Sequence, residues 1–186
     1  MRIPLIETER LILRTYVQDD METIFQMITD PDVRRFFPDR SHKREDILAS
    51  LPARMVFWSR NGFGQFGVCE KGSGKLVGYC GLKRLDETKE IEIYYGFFRD
   101  AWGKGYATES AAAVLRFAFE ETRLRRIAAC AHPENYASQK VLEKIGLVRD
   151  GEAFFYGMDL FYFALEKRSY RAPTFEYSLI WKDTRG

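Results

Sequence analysis

Cysteine is scarce in this chain. Only Cys69, Cys80 and Cys130 occur among 186 residues. An odd count with no CxxC pair excludes a disulfide framework and a thiol metal clip. Each lies in an apolar, strand-like run and reads as a small reduced core residue, in keeping with a reducing compartment. Histidine is scarcer still: His42 and His132 have no ligand spacing relative to the cysteines, so no metal is expected. No apolar run approaches the roughly 20 residues of a membrane span. Met1–Arg14 alternates apolar with charged residues, which excludes a plain signal peptide. The expectation is a soluble cytoplasmic protein with no membrane contact. An excess of one charge is also missing. Lys+Arg is 29 and Asp+Glu 27, a net charge of +2, which argues against an obligate nucleic-acid binder. Repeats, low-complexity tracts and linkers are absent too, so the length describes one domain over 1–186.

Aromatic residues are plentiful: Phe 15, Tyr 10 and Trp 3, or 15% of the chain. Disorder is therefore excluded for most of it. Composition does not say whether the rings serve a core, a ligand slot or a partner. Ten of them crowd into Phe154–Trp181.

Arg10–Tyr16 reads as a first strand. Asp19 and Glu22 have capping-box spacing at the start of a helix, with Met21, Ile24, Phe25 and Ile28 on one face and Asp30-Pro31 at its end. Ser41–Arg60 is a second helical region, broken or restarted at Pro52, and Asn61-Gly62 turns out of it. Gln65–Glu70 and Leu76–Leu82 form a hairpin around a Gly-containing loop. Glu90–Phe98 is a β-branched and aromatic strand, in which Gly96 marks a bulge or a close backbone approach. A long helix is expected over Thr108–Glu121, a strand over Arg126–His132 and a short helix from about Tyr136 to Ile145, closed by Gly146. Leu147–Trp181 reads as all-β. The order β-α-α-β-β-β-α-β-α-β-β describes a mixed α/β sheet with helices packed on its faces.

Two blocks carry chemistry. In Trp102-Gly103-Lys104-Gly105-Tyr106-Ala107, the glycines allow a tight turn and a close ligand approach. The helix start that follows aims unpaired amides at the same spot, which suits a pyrophosphate. The block is neither a Walker loop nor a dinucleotide fingerprint, and by itself it equally describes an ordinary loop-to-helix turn. The second block is Asn135-Tyr136-Ala137-Ser138 with Lys144-Ile145-Gly146-Leu147. Here Asn135 can equally be a helix cap, Ser138 a first-turn residue and Gly146 a helix stop.

Both blocks occur in order among further motifs: Ile6-Glu7-Thr8-Glu9-Arg10-Leu11-Ile12-Leu13-Arg14, Asp30-Pro31-Asp32-Val33, Gly62-Phe63-Gly64, Gly78-Tyr79-Cys80-Gly81-Leu82, Trp102–Glu109 and Glu143–Gly146. Over roughly residues 5–170 the chain resembles the GCN5-related N-acetyltransferase (GNAT) superfamily, in its branch of ribosomal-protein-alanine N-acetyltransferases and their small-molecule relatives. Trp102 stands where the superfamily's cofactor loop usually begins with Gln or Arg. Residues 171–186 run past the family's usual end.

The resemblance implies a mostly antiparallel central sheet splayed at a bulged strand, with helices on both faces. It implies acetyl-CoA as donor, a primary amine as acceptor (a protein N-terminus or a small molecule), and a monomer or homodimer. Tyr95, Gly96 and Phe97 would pair with the pantetheine arm, and a backbone N–H there would hold the oxyanion. The amides of Gly103, Lys104, Gly105, Tyr106, Ala107 and Thr108 would cradle the pyrophosphate, with charge added by Lys104. Asn135 would hold the arm or the neighbouring strand. Ser138 would lie near the sulfur and stabilise the thiolate. Glu92 is the candidate general base, or else a solvent-facing strand residue, since a one-residue register shift reverses its face. A Tyr common in relatives seven positions after the Asn is Leu142 here, so Ser138 or water would serve as acid. His132 and Trp102 read as structural, and Arg123, Arg125 and Arg126 as a solvated helix end. The C-terminal aromatics become a candidate acceptor wall or dimer contact. The alternative is a catalytically silent acyl-CoA-binding regulatory domain. A nucleic-acid module using the Arg cluster is a third reading, and a weaker one.

Overall fold

The computed structural model describes residues 2–38, 43–85 and 88–183. Among them nine strands form one sheet: β1 (Arg2–Thr8), β2 (Leu11–Arg14), β3 (Gln65–Glu70), β4 (Leu76–Arg84), β5 (Ile91–Phe97), β6 (Arg126–Ala131), β7 (Val148–Phe155), β8 (Met158–Glu166) and β9 (Tyr177–Asp183). Their spatial order is β7-β8-β6-β5-β4-β3-β2-β1-β9. Every pair is antiparallel except β5 with β6. The helices are α1 (Asp20–Thr29), α2 (Pro31–Arg34), α3 (Arg44–Leu48), α4 (Leu51–Asn61), α5 (Tyr106–Glu121) and α6 (Tyr136–Lys144).

Two apolar clusters show how the layers stack. On one face the α5 residues Val114, Leu115, Phe117 and Phe119 pack with Phe66, Ile93, Phe163 and Trp58. Phe66, Phe117 and Phe119 are fully buried, each contributing about 1.5–3 kcal/mol of burial. On the other face Met21, Ile24 and Met27 of α1 pack with Tyr16, Leu76 and Tyr79.

Several expectations change. Ahead of Arg10, Arg2–Thr8 form a full strand, and β9 pairs with it from Arg2↔Asp183 to Thr8↔Tyr177. Asp19 makes no side-chain cap bond. Asp20 instead accepts from the Val17 amide and pairs with Arg14, while Glu22 pairs with Arg44. Asp20 thus braces the turn before the helix, and no side chain caps α1. Pro52 restarts the helix, as α4, within its first turn; Ser41 and His42 lie outside the described residues. The long helix begins two residues early, at Tyr106, because Gly105 adopts φ 81° and lets the chain enter helix directly. Gly96 does not interrupt the β4–β5 register, which runs unbroken from Gly78↔Phe97 to Arg84↔Ile91. It is a close approach rather than a bulge on that side: a Cβ there would meet the Tyr79 ring at 2.7 Å.

The tail is structural. After β8 the chain crosses α5, with Tyr170 on Phe119, Tyr177 under the Arg116 guanidinium and Trp181 against Phe117. The C-terminal aromatics therefore divide. Some strap α5, Phe163 enters the core, and Phe154 stays exposed.

Candidate active site

The parallel pair β5–β6 meets at one register position, Glu92↔Ala128. Past it the strands diverge, and Ile93–Phe97 has no partner on that side among the described residues. A sheet opened this way presents backbone donors and acceptors along an edge, ready for an extended polar ligand. The gap points toward the start of α5.

There the loop Trp102–Gly105 feeds the helix. Gly103 and Gly105 have φ of 73° and 81°. The first intrahelical bond runs from the Glu109 amide to the Gly105 carbonyl at 3.1 Å, so the amides of Tyr106, Ala107 and Thr108 precede the ladder and have no intrahelical acceptor. Trp102 is half exposed, but its indole N–H donates to the Phe97 carbonyl at 2.8 Å and pins the loop to β5. The Tyr106 hydroxyl donates to Glu70, whose carboxyl is held below its usual range by that bond and by Ser73.

A clamp that sequence reasoning missed sets this loop. Glu109 accepts from the Thr8 hydroxyl at 2.6 Å, from the Arg10 amide at 2.9 Å and from Arg10 Nε at 2.7 Å. Arg10 also donates to the Lys104 carbonyl at 2.8 Å. The β1–β2 turn thereby grips both the loop and the first turn of α5. Beside it lies a cavity of about 660 Å³, bordered by Gly105, Thr108, Arg10, Lys144, Tyr170 and Arg171 among others.

At the gap's mouth the Tyr95 hydroxyl lies 2.9 Å from Ser138 Oγ and donates to the Ser138 carbonyl at 3.2 Å. Burial pushes the Tyr95 phenol well up, so it stays protonated and able to donate. Asn135 caps α6, its side-chain Oδ1 accepting from the Ser138 amide at 3.1 Å. Leu142 is buried in the core, and the hydroxyl near Ser138 comes from β5 instead. His132 Nδ1 accepts from the Glu134 amide at 3.2 Å and stacks near Phe36, a turn-forming role.

Glu92 does not face solvent: its side chain is 4% exposed. It lies on the sheet face opposite Tyr95, since alternate residues of a strand point to opposite sides. Lys83, directly across the β4–β5 ladder, brings its Nζ to 2.9 Å from Glu92 Oε1, and the Tyr156 hydroxyl donates to the same oxygen. Neither Lys83 nor Tyr156 is marked by any local motif; only strand register and a hairpin turn bring them to Glu92. Arg126 is consumed internally, bonding Glu90, Glu166 and Asp150, so this member of the basic cluster is not offered to an outside polyanion. Among the described residues no group of three or more His, Cys, Asp or Glu is arranged to hold a metal, and no helix is long and apolar enough to cross a membrane.

The splayed sheet and the helix-start cradle define an acyl-CoA-type transferase architecture. Residues 10–148 match the acetyltransferase (GNAT) domain family, and the chain belongs to that family of acyltransferases. It is 33% identical over 175 residues to the uncharacterized N-acetyltransferase p20 of Bacillus licheniformis, covering 88% of this chain and 96% of that one. In fold it is similar to the ribosomal-protein-S5-alanine acetyltransferase of Vibrio fischeri, at TM-score 0.77 and 22% identity, covering 90% of this chain and 98% of that one. It is also similar to the aminoglycoside acetyltransferase AAC(6')-Ib solved in complex with coenzyme A, at TM-score 0.71 and 15% identity, covering 86% and 96%.

Proposed function

We propose that this chain transfers an acetyl group from acetyl-CoA to a primary amine by direct attack in a ternary complex. The observation that carries the reading is the β5–β6 gap opening onto the amides at the start of α5, with the Tyr95–Ser138 pair at its mouth. The pyrophosphate would rest on the amides of Gly103–Thr108 with Lys104 adding charge, and the adenosine end would enter the adjoining cavity. The pantetheine arm would pair with Tyr95, Gly96 and Phe97, and the Asn135 side-chain NH2, not needed for capping, would bond the arm.

In the reaction the amine nitrogen attacks the thioester carbonyl carbon. A backbone N–H near Gly96 holds the oxyanion. The C–S bond then breaks, Ser138 with Tyr95 behind it supplies a proton to the leaving thiolate, and Glu92 takes the amine proton directly or through water. The three cysteines are free thiols, in keeping with a reducing, cytoplasmic setting.

The test is release of free CoA from acetyl-CoA across a panel of small amines and peptides. Amine-dependent release is expected. Tight acetyl-CoA binding with no turnover of any amine would reassign the chain to a silent acyl-CoA-binding regulator.

A further inference from the structure

Two aromatic rings wall the ammonium that pairs with the buried Glu92 carboxylate. The Lys83 Nζ is 2.9 Å from Glu92 Oε1, 4.5 Å from the Tyr156 ring centroid and 5.0 Å from the Tyr94 ring centroid. A carboxylate with two ring faces is the chemistry that recognises an alkylammonium. The walls come from distant parts of the chain. Tyr94 is on β5, and Tyr156 sits in the two-residue turn between β7 and β8. Tyr156 has φ 58°, the one described non-glycine residue in the left-handed region. Two-residue turns of this kind favour Asn or Gly there, and a bulky residue keeps such a conformation only when its surroundings require it. Here its hydroxyl is bound to Glu92 and its ring covers Lys83.

We propose that Glu92, Tyr94 and Tyr156 form the acceptor's binding site for an unbranched primary alkylammonium, and that Lys83 is its resident occupant, displaced when the acceptor enters. This rests on the amine acetyltransferase reading. The exposures set the direction of exchange. The Lys83 side chain is 37% exposed and that of Glu92 4%. A lysine stem can swing its charge into water, whereas the carboxylate stays behind. A buried carboxylate left without a cation is strongly disfavoured. Lys83 therefore leaves readily only when another cation takes its place, which selects acceptors that arrive as ammonium ions on a slender chain. A peptide α-amine, flanked at once by a side chain and an amide, fits this slot less well than the four-carbon stem it already holds.

The test uses the whole protein with saturating acetyl-CoA. n-Butylamine and longer diamines are expected to exceed lysine-free peptides in kcat/KM by about tenfold. Protonated N,N-dimethylbutylamine keeps one N–H for Glu92 and forms no stable amide; it is expected to compete with the acceptor and not with acetyl-CoA. Lys83→Met is expected to lower the acceptor KM severalfold with the acetyl-CoA KM unchanged, whereas a merely structural ion pair would raise it or alter both. Tyr156→Ala provides a second variant, expected to raise the inhibition constant of the dimethyl compound about fivefold. Equal or better use of peptides, or no competition by the dimethyl compound, overturns the proposal. Should no amine be turned over at all, calorimetric binding of the dimethyl compound to the wild-type protein and to Lys83→Met, each with CoA present, decides the site separately from catalysis.

Discussion

The two faces of β5 carry different chemistry. Ile91, Ile93, Tyr95 and Phe97 point toward α5 and α6 and are apolar apart from the Tyr95 hydroxyl that meets Ser138. Glu92, Tyr94 and Gly96 point the other way and carry a carboxylate, a phenol and a position cleared for the Tyr79 ring. On the proposed reading one face serves the cofactor cradle and the other the acceptor's ammonium. A strand can serve two substrates in this way because its side chains alternate while its backbone edge stays common to both. On that reading donor and acceptor functions should be separable by substitution even between adjacent residues.

Perturbations confined to the donor side are expected to change acetyl-CoA parameters and leave acceptor parameters alone. The largest effect is Gly105→Glu. It forces a side chain into φ 81° within 3.3 Å of Arg10 Nη2 and adds negative charge at the cradle. Acetyl-CoA affinity should fall at least about 100-fold by calorimetry, or nearly 3 kcal/mol; unchanged affinity would dissolve the distinction between the faces. On the acceptor side, Glu92→Gln should lower kcat about 100-fold with the dissociation constant of acetyl-CoA unaltered. Arg10→Ala leaves Glu109 uncompensated beside the proposed pyrophosphate position and should raise the acetyl-CoA KM about tenfold, the weight of a charge-assisted bond. Adding Glu109→Gln should recover part of that loss, and S-acetylpantetheine, which has no pyrophosphate, should be used equally by both forms. Ser138→Ala should lower kcat about fivefold, near 1 kcal/mol, and change KM little; equal change in both would make Ser138 a capping residue only.

The smallest effect is one of pH and touches both faces alike. Burial raises the Cys80 thiol from 9.0 to about 12. A group whose folded pKa is raised contributes stability below its unfolded pKa and loses it as pH rises. The melting temperature should thus begin to fall above about pH 9 and continue falling toward pH 12, and the thiol should resist alkylation at pH 8.

Much of the fold was legible because local chemistry agreed with it. The glycines of Trp102–Gly105, the apolar spacing along α5 and the aromatic run of β5 each demand their element whatever surrounds them. Gly146, at φ 95°, ends α6 as its sequence position implied. The helix start was misjudged by two residues because a left-handed Gly105 can cap a helix without a capping side chain. The Asp19 cap failed because Asp19 itself lies in the helical region, at φ −67° and ψ −19°, where a capping residue is normally extended. The N-terminal strand was missed because its seven-residue partner β9 lies at the far end of the chain.

What the sequence determined by itself was most of the element order from β2 onward, the cofactor-type loop and the family, since those depend on residues close together in the chain. Only the tertiary structure decided that Glu92 is buried rather than solvent-facing, that Lys83 and Tyr156 meet it, and that Thr8 and Arg10 grip Glu109. These contacts join positions some ten to a hundred residues apart. Strand register and helix docking place them, and both are settled by burying the two apolar clusters against the sheet rather than by any local preference.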